Sequence, residues 1–383
     1  MTMTLEKLSK AYEIEQLHYR LAEQADDIPL DYEAITPRWL TAVLGNRHQG
    51  ACVLSHRLDI ADDGNSSRRR IFLQWNEEGR KVGLPASVFC KATHSLSSRI
   101  SIGLPGCIHG EVDFYNHVRS FIRVESPRVL HAAVDSDTYN AIVVLEDMGT
   151  ETTFCTHTTE IDRQHAEEQV RILADFHGQF MADPEQMAAL SVFPTWPQRW
   201  RLMLAIGMEK GSDQGFIAAR EVMPARVVAR HKDIWALTQR SVELHDHLPH
   251  TFNHGDPHLR NWYITPRGEM GLGDWQMNIR GHWSRDLAYT MATSLTIENR
   301  RQWERELLRY YAELLSESSG QPVSFQTVFD NYRQQLMTVL AFWTMTLMPP
   351  PELPDMQPAD ASLEFVHRIA TAIDDLDTLD SFG

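Results

Sequence analysis

The sequence predicts an α+β fold of two lobes, a small β-rich N-terminal lobe over residues 31–148 and a larger, mainly helical C-terminal lobe over residues 149–383. Up to about residue 148, short runs rich in β-branched and aromatic residues alternate with turn-forming residues, as antiparallel strands do. Beyond that point, apolar residues recur three and four positions apart, as on the buried face of a helix. The length of 383 residues also exceeds what a single hydrophobic core usually spans.

The order of elements in the N-terminal lobe follows from turn residues and apolar runs. Pro37 suits the first turn of a helix, and a turn-forming cluster over residues 62–67 separates two strands. The predicted elements are a helix at 35–44, strands at 51–60, 70–75 and 86–93, a helix at 108–123, and strands at 128–134 and 141–145. Residues 1–30 precede this lobe and are predicted to be a polar helical extension with a linker.

The C-terminal lobe is predicted to begin with a long helix at 160–181 and to continue with helices to about residue 247. A short strand-rich insert at 262–274 interrupts them. Helices return from Leu287 to the end, with a proline-rich break at Met348–Pro354. The lobe is therefore expected to be helical except around residues 250–280.

Charge and composition narrow the class of partner. With 36 Lys and Arg against 52 Asp and Glu, the net charge of −16 makes nucleic acid and anionic membranes unlikely partners. No stretch reaches 18 apolar residues, and the N-terminus lacks an apolar signal segment, so the chain is expected to be cytoplasmic. The four cysteines show no C-x-x-C spacing, which argues against a zinc site or a disulfide framework. Nothing in the sequence indicates an oligomeric state.

One segment carries the strongest chemical signal, the run from His254 to Asn261 with the sequence His-Gly-Asp-Pro-His-Leu-Arg-Asn. Asp256 precedes Asn261 by five positions, which is the spacing of a phosphoryl-transfer catalytic loop. Asp274 follows at the end of an apolar, glycine-containing run, and a hairpin at 262–273 would bring it back towards Asn261. An amide oxygen and a second carboxylate suit Mg²⁺, which prefers hard oxygen ligands. We therefore predict Asp256 as the catalytic carboxylate and Asn261 and Asp274 as metal ligands.

This segment, together with Gly273-Asp-Trp-Gln276, Gly281 and Arg285-Asp-Leu-Ala-Tyr289, resembles the aminoglycoside phosphotransferase/choline kinase-like family, most of all its ecdysteroid-kinase-like and bacterial phosphotransferase-enzyme branch. The resemblance implies a two-lobe protein-kinase-like fold and a kinase that uses ATP, or GTP, with Mg²⁺ to phosphorylate a hydroxyl group of a small molecule. Asp-Trp-Gln stands where protein kinases have Asp-Phe-Gly, and His-Gly-Asp stands for His-Arg-Asp. Both departures are features of the small-molecule branch and argue against a protein substrate.

Lys91 lies within an otherwise apolar strand, where a charge is costly unless it is paired. Strand order and the resemblance predict that Lys91 contacts the α- and β-phosphates of the nucleotide and pairs with Glu111, with Asp113 as the competing partner. The turn between the first two strands is a further candidate for phosphate contact through backbone N–H groups. It comprises Gly64, Asn65, Ser66 and Ser67. The segment from Glu146 to Met148 is predicted to be the hinge, whose backbone meets the nucleotide base.

Two further residues are expected to support the catalytic loop without touching substrate. The resemblance implies that His254 holds the loop backbone, and that Asp286 hydrogen-bonds the loop or caps the next helix. His258 and Arg260 either face the substrate or point to solvent. Aromatic residues of the C-terminal lobe form either core or the wall of an acceptor pocket, and their helical spacing favours core. They are Trp196, Trp200, Trp235, Trp303, Tyr310, Tyr311, Phe342 and Trp343.

The acceptor is not specified by any motif. Net acidity favours a cationic acceptor such as an aminoglycoside, whereas the aromatic and methionine content of the C-terminal lobe favours a hydrophobic alcohol or sterol-like compound. Three other functions compete with a small-molecule kinase. They are a catalytically weak, kinase-fold nucleotide-binding or regulatory protein, a protein kinase, and a metal-assisted hydrolase. Asp286 follows Asp274 by only 12 positions, too few for a long activation segment, which disfavours the protein kinase.

Overall fold

The computed structural model describes residues 4–351 and 353–383 and divides the chain into two compact units. One unit comprises the chain up to Asn116 together with Pro127–Gly149, and the other comprises His117–Ser126 together with Thr150–Gly383. The first residues of the predicted N-terminal extension, 1–3, and residue 352 of the predicted proline-rich break lie outside the described residues.

The first unit is built on an antiparallel sheet. Its strands are β1 (Val53–Leu58), β2 (Asp62–Asp63), β3 (Ser67–Trp75), β4 (Ser87–Ala92), β5 (Val129–Val134) and β6 (Ala141–Glu146). Its helices are α1 (Leu5–Leu17), α2 (Pro37–Leu44), α3 (Glu77–Lys81), α4 (Leu96–Gly103) and α5 (Gly110–Asp113). The strand order is β1-β3-β4-β6-β5, with β2 paired to β3. Alternate residues of β3 and β4 point into a core with α2, in which Trp39, Ile71 and Val88 are fully buried.

The predicted helix over residues 108–123 was wrong in its extent. Regular α-helix is confined to α5, and one wider turn of π-helix geometry follows at Phe114–Val118. Beyond it the chain belongs to the second unit, where its carbonyl groups bind other partners than a helix would supply. Gln179 donates to the carbonyl of Phe121, and the backbone N–H of Leu272 donates to Glu125. These contacts replace the i to i−4 hydrogen bonds of a continuing helix.

The second unit is mainly helical. Its helices are α6 (Arg163–Ala182), α7 (Pro184–Ala189), α8 (Trp196–Ala205), α9 (Met208–Ala218), α10 (Ala225–Ala229), α11 (His231–Glu243), α12 (Ser284–Ser294), α13 (Ile297–Ser319), α14 (Phe325–Leu347) and α15 (Ala359–Asp375). Its strands are β7 (Thr153–Phe154), β8 (Thr251–Asn253), β9 (Trp262–Ile264), β10 (Met270–Leu272) and β11 (Ile279–Gly281). They form a small sheet in the order β10-β9-β7 and a separate pair β11-β8.

The helices of the second unit are also joined through buried polar contacts. Arg300 of α13 bonds Glu304 one turn along the same helix, which in turn accepts from the hydroxyl of Tyr332 on α14 at 2.7 Å. Arg300 also bonds Asp375 of α15. The predicted α+β class is confirmed, with strands concentrated in the first unit and helices in the second. Within the described residues, no helix has the length and apolarity needed to cross a membrane.

Candidate active site

The segment predicted as the catalytic loop connects β8 to β9. Strand β8 is anchored by antiparallel pairing with β11, in which Asn253 lies opposite Ile279. The chain then turns at Gly255, whose φ of +84° lies in the left-handed region. A Cβ atom at this position would lie 2.2 Å from the carbonyl oxygen of Met277. Both constraints require glycine, so the Gly of the His-Gly-Asp sequence is explained by backbone packing.

Helix α12 supplies the contacts that shape this loop. The carboxylate of Asp286 accepts hydrogen bonds from the backbone N–H of His254 at 2.6 Å and of Gly255 at 3.0 Å. One turn along the helix, the hydroxyl of Thr290 donates to the carbonyl of Pro257 at 3.0 Å. Successive turns of one helical face thus bind successive loop residues. Asp286 therefore binds the backbone of the predicted catalytic loop.

Arg285 is a loop-binding residue that sequence reasoning did not single out. Its guanidinium donates to the carbonyl of Gly255 and lies 4.0 Å from the ring centroid of Trp196 and 5.1 Å from that of Phe342. The side chain is completely buried, and burial lowers its pKa, yet a guanidinium stays protonated at neutral pH. The aromatic faces help to stabilise this buried cation. The feature of the sequence that could have identified Arg285 is its position as a charged residue directly before Asp286.

Behind the loop, Asp286 is held by a buried hydrogen-bond chain. The hydroxyl of Tyr311 lies 2.8 Å from Nδ1 of His177, and Nε2 of His177 lies 3.4 Å from Asp286. Burial lowers the pKa of His177, so the ring is neutral, accepts from the tyrosine at Nδ1 and donates to the carboxylate from Nε2. Burial alone would raise the pKa of Asp286, but the hydrogen bond from His177 and the positive charge of Arg285 lower it below its usual value.

His254 joins the loop to the segment that precedes Asp274. Its Nε2 donates to the carbonyl of Gly273 at 2.9 Å, and its Nδ1 accepts from the backbone N–H of Asp256 at 3.2 Å. Burial lowers the pKa of His254, which keeps the ring neutral and preserves both roles. Asn261 completes the connection, since its side-chain amide donates to the carbonyl of Asp256 at 2.8 Å and its own carbonyl accepts from Gly273 at 2.9 Å.

Asp274 follows the hairpin of β9 and β10, in which Leu272 lies opposite Trp262. Its φ of +60° is in the left-handed region, which is uncommon for a residue other than glycine and costs free energy that the surroundings must offset. The next residue, Trp275, is fully buried, and its ring stacks on Phe252 with an interplanar angle of 12°. The Trp275 indole also donates to the hydroxyl of Ser126 at 2.8 Å. These contacts fix the backbone on which Asp274 stands.

A second group of buried histidines lies beneath the strand pair β8 and β11. Nδ1 of His245 accepts from the backbone N–H of His282 at 3.0 Å, and its Nε2 lies 3.1 Å from the side-chain oxygen of Gln335. Burial lowers the pKa of His245 to about 3. Burial, followed by the proximity of His245, lowers the pKa of His282 well below its usual value.

We expect acid to destabilise the second unit through these histidines. In the folded chain they remain neutral, whereas in the unfolded chain they take up protons near pH 6.5. The unfolded state therefore binds more protons below that pH, and each histidine lowers the free energy of unfolding by about 1.4 kcal/mol per pH unit as the pH falls. Urea unfolding at about pH 7 and about pH 5 measures this slope. In His245→Gln the slope should decrease by about 1.4 kcal/mol per pH unit, the contribution of one proton. An unchanged slope would contradict the conclusion that His245 is neutral in the folded chain.

In the first unit, Lys91 of β4 and Glu111 of α5 form an ion pair with an Nζ to Oε2 distance of 2.7 Å. Both side chains are largely buried, with 12% and 9% of their surface exposed. Glu111, one of the two partners that the sequence offered, therefore pairs with Lys91. A pair in this environment is weakly screened and fixes the lysine ammonium at one place.

Replacing Lys91 by Met should lower kcat/KM for the nucleotide by about 10²-fold, because it removes the positive charge that the sequence predicts to contact the phosphates. Loss of one partner of a buried pair also destabilises the protein by a few kcal/mol. The double variant Lys91→Met/Glu111→Gln removes both charges and serves as the stability control. Steady-state kinetics and thermal unfolding of the two variants separate the effects. If the double variant regains wild-type kinetics, the charge of Lys91 has no role in turnover.

The predicted phosphate-binding turn joins β2 to β3. Ser66 is buried, Ser67 already belongs to β3, and the backbone N–H of Gly64 donates to the carbonyl of Ser66 at 3.0 Å. The carbonyl of Asn65 accepts from the hydroxyl of Ser101 on α4 at 3.3 Å. Helix α4, which the sequence analysis did not predict, thus supports the turn. Its start carries the signal of a serine cap, since Ser95 accepts from the backbone N–H three residues on.

The predicted hinge is anchored by a residue that sequence reasoning passed over. The side chain of Glu146 is about half exposed and pairs with Arg128, whereas Asp147 turns inwards. Asp147 accepts from Arg70 at 2.7 and 3.1 Å, from the hydroxyl of Ser87 at 2.6 Å, and from the backbone N–H of Gly149 at 3.1 Å. Met148 lies between Asp147 and Gly149, which this last hydrogen bond joins. The backbone of the segment is therefore held by Asp147.

Most of the aromatic residues considered for an acceptor pocket are core. Trp196, Trp200, Phe342 and Met345 belong to one hydrophobic cluster, and Tyr311 is fully buried behind the loop. Trp343 lies next to the loop, with its ring centroid 5.2 Å from that of His258. The helical spacing favoured a core position for these aromatic residues, and the buried ones do lie in the core.

An antiparallel sheet with a buried Lys–Glu pair, and a helical unit carrying an Asp-x-x-x-x-Asn loop hydrogen-bonded to Gly273, the residue before a second acid, define a phosphotransferase of the protein-kinase-like class. The sequence pattern of one protein family, described as "APH: Phosphotransferase enzyme family", matches residues 98–320, more than half of the chain. The chain belongs to this phosphotransferase enzyme family and is a small-molecule kinase.

Solved structures agree with this fold. A choline kinase from Cryptosporidium parvum Iowa II superimposes with a TM-score of 0.51 at 10% identity, over 84% of this chain and 90% of that one. A putative aminoglycoside phosphotransferase from Ralstonia eutropha JMP134 superimposes with a TM-score of 0.50 at 13% identity, over 88% of this chain and 97% of that one. At such identities the likeness establishes the fold alone. No curated protein matches the sequence.

Proposed function

We propose that this protein transfers the γ-phosphate of a purine nucleoside triphosphate, in the presence of Mg²⁺, to a hydroxyl group of a small molecule. The observation that carries the proposal is the hydrogen-bonded connection of Asp256, Asn261 and the residue before Asp274. Through it, the backbone segments that carry the Asp256 carboxylate, the Asn261 amide and the Asp274 carboxylate are joined in a single network. Phosphoryl transfer depends on such positioning and on charge neutralisation more than on covalent chemistry.

Asp256 accepts or orients the proton of the attacking hydroxyl, so that its oxygen can approach the γ-phosphorus in line with the leaving group. Asn261 and Asp274 fit a Mg²⁺ ion. The Nδ2 group of Asn261 is engaged by the carbonyl of Asp256, which leaves its side-chain oxygen for a metal, and oxygen ligands are what Mg²⁺ prefers. When bound, Mg²⁺ would neutralise phosphate charge. His254 and Asp286 hold the backbone that carries these groups.

The nucleotide contacts proposed for the first unit use Lys91, paired with Glu111, for the α- and β-phosphates. The β2–β3 turn, residues 64–67, would add backbone N–H groups, and the backbone of Glu146 to Met148 would contact the purine. A backbone contact of this kind accommodates ATP and GTP alike, so both are included as donors. The intact set of charged residues favours an active kinase over a nucleotide-binding regulatory protein, and we propose that it acts in the cytoplasm.

For the acceptor, we propose a hydroxylated small molecule with a cationic group, of the aminoglycoside kind. The net charge of −16 favours a cation by raising its local concentration at the protein surface. A hydrophobic or sterol-like alcohol is the second candidate, since Trp343 and Phe365 adjoin the proposed catalytic loop.

The test measures ADP or GDP release in the presence of Mg²⁺ against a panel of acceptors, with Asp256→Asn as the blank. The panel contains kanamycin, spectinomycin, choline, ethanolamine, cholesterol and benzyl alcohol. Stimulation by one class, absent in the variant and after removal of Mg²⁺ with EDTA, is the expected result. Equal nucleotide consumption with and without every acceptor, unaffected by Asp256→Asn, would refute the proposal. Hydrolysis that needs Asp256 but no acceptor would identify a hydrolase instead.

A further inference from the structure

His258 has a side chain whose direction and tautomer are both determined by its surroundings. It caps the short turn at Leu259–Asn261, where its Nδ1 accepts from the backbone N–H of Arg260 at 3.2 Å. A nitrogen that accepts carries no hydrogen, so the neutral ring bears its hydrogen on Nε2. Only 4% of the side chain is exposed, which excludes the solvent-facing orientation that the sequence left open.

The Nε2 atom of His258 lies near the proposed catalytic carboxylate. It lies 3.5 Å from Oδ2 of Asp256, at the outer limit of a hydrogen bond. Contacts of this kind are often long in an enzyme without substrate and shorten in the reacting complex. Oδ2 of Asp256 therefore has a neutral donor beside it, on the side away from solvent.

An enclosure of rings holds the imidazole in this orientation. Trp343 of α14 lies edge-on to it, with ring centroids 5.2 Å apart and an interplanar angle of 80°. Phe365 of α15 and Tyr289 of α12 complete the enclosure at 6.1 and 6.3 Å. Three helices distant in sequence thus meet around one loop histidine. In such a water-poor environment, a hydrogen bond to a carboxylate is stronger than in water.

We propose that His258 is a positioning residue for phosphoryl transfer, which donates its Nε2 hydrogen to Oδ2 of Asp256 and so presents Oδ1 to the acceptor hydroxyl. The inference rests on the proposed function. During transfer the acceptor O–H bond breaks and its proton passes to Asp256, a bond forms between the acceptor oxygen and the γ-phosphorus, and the bridging P–O bond breaks to release the nucleoside diphosphate. His258 keeps its own proton throughout.

Two substitutions separate this role from the capping of the turn. In His258→Asn, the side-chain oxygen reaches the position of Nδ1 and still caps the turn, but the shorter side chain offers Asp256 no donor at the position of Nε2, while the hydroxyl of Tyr289 still bonds Asp256. In His258→Gln, the longer amide brings an N–H group to the position of Nε2. A purely structural histidine would be replaced better by Asn, which is a favoured cap. A positioning histidine would be replaced better by Gln.

The experiment measures kcat and KM for Mg·ATP by ADP release, with the acceptor that stimulates most in the panel above and with water alone. We expect His258→Asn to lower kcat by about 10- to 100-fold, as misplacement of a reacting group does, with little change in KM for ATP or in the unfolding temperature. His258→Gln should recover most of the loss. A fully active His258→Asn, or a His258→Gln no better than Asn, would overturn the inference. Full activity of Asp256→Asn would instead overturn the proposed function on which it rests.

Discussion

Asp256→Asn should lower kcat for phosphoryl transfer by about 10²- to 10⁴-fold, the range that a general base contributes. The amide has nearly the shape of the carboxylate but cannot take up the proton of the attacking hydroxyl. The backbone of residue 256 is held through its own N–H by His254 and through its carbonyl by Asn261, so the loop should keep its conformation. Steady-state kinetics and calorimetric titration with ATP analogues measure the two consequences, lost turnover and retained nucleotide affinity.

Asp246→Asn is the matched control for this substitution. Asp246 is an exposed residue of the second unit at the end of a short turn, so the same change of charge there should leave turnover unaltered. A tenfold loss in both variants would point to the net charge of the protein. Asp256→Asn that retains wild-type kcat would show that this carboxylate does not take part in the chemistry.

Asp286→Ala should lower the free energy of unfolding by roughly 3 to 5 kcal/mol and reduce kcat by about 10²-fold. The carboxylate is completely buried and accepts from the backbone N–H groups of His254 and Gly255 and from His177. Its removal leaves these donors without an acceptor and frees the loop backbone, so stability and positioning fall together. Chemical denaturation and kinetics on the same preparation measure both effects.

Asp286→Asn distinguishes the two contributions. The amide keeps one oxygen acceptor but turns an NH₂ group towards a backbone N–H, so one loop contact is preserved and another becomes repulsive. We expect it to be less destabilised than the alanine variant and still impaired in kcat. Glu298→Ala, an exposed acid in the first turn of α13, is the control for a lost carboxylate. An Asp286→Ala variant with wild-type stability would contradict the anchoring role.

Short-range sequence patterns determined much of the fold and the candidate site. The strand runs and turn residues of the first unit define its sheet, because each strand needs only a local alternation of apolar residues. The spacing from Asp256 to Asn261 and the hairpin before Asp274 are equally local, since a few residues set the turn and the return of the chain. Lys91 was recognisable because a charge within an apolar strand demands a partner.

The extent of the helix after residue 108 was not predictable in this way. Its apolar spacing is helical, but residues beyond Val118 bind partners in the second unit that lie far along the chain. The anchoring of the hinge by Asp147 has the same character, since Arg70 precedes it by 77 residues. Local propensity is a weak guide where distant contacts satisfy the backbone.

The sequence by itself thus determined the class of fold, the loop that we propose carries the chemistry and the identities of its charged residues. Only the tertiary structure decided how that loop is held. Asp286 binds backbone groups 31 and 32 residues away, and the enclosure of His258 is made by three helices that meet only in the folded chain. The physical reason is that a residue type and its spacing specify which groups are present, whereas the direction of a side chain depends on packing between elements distant in sequence.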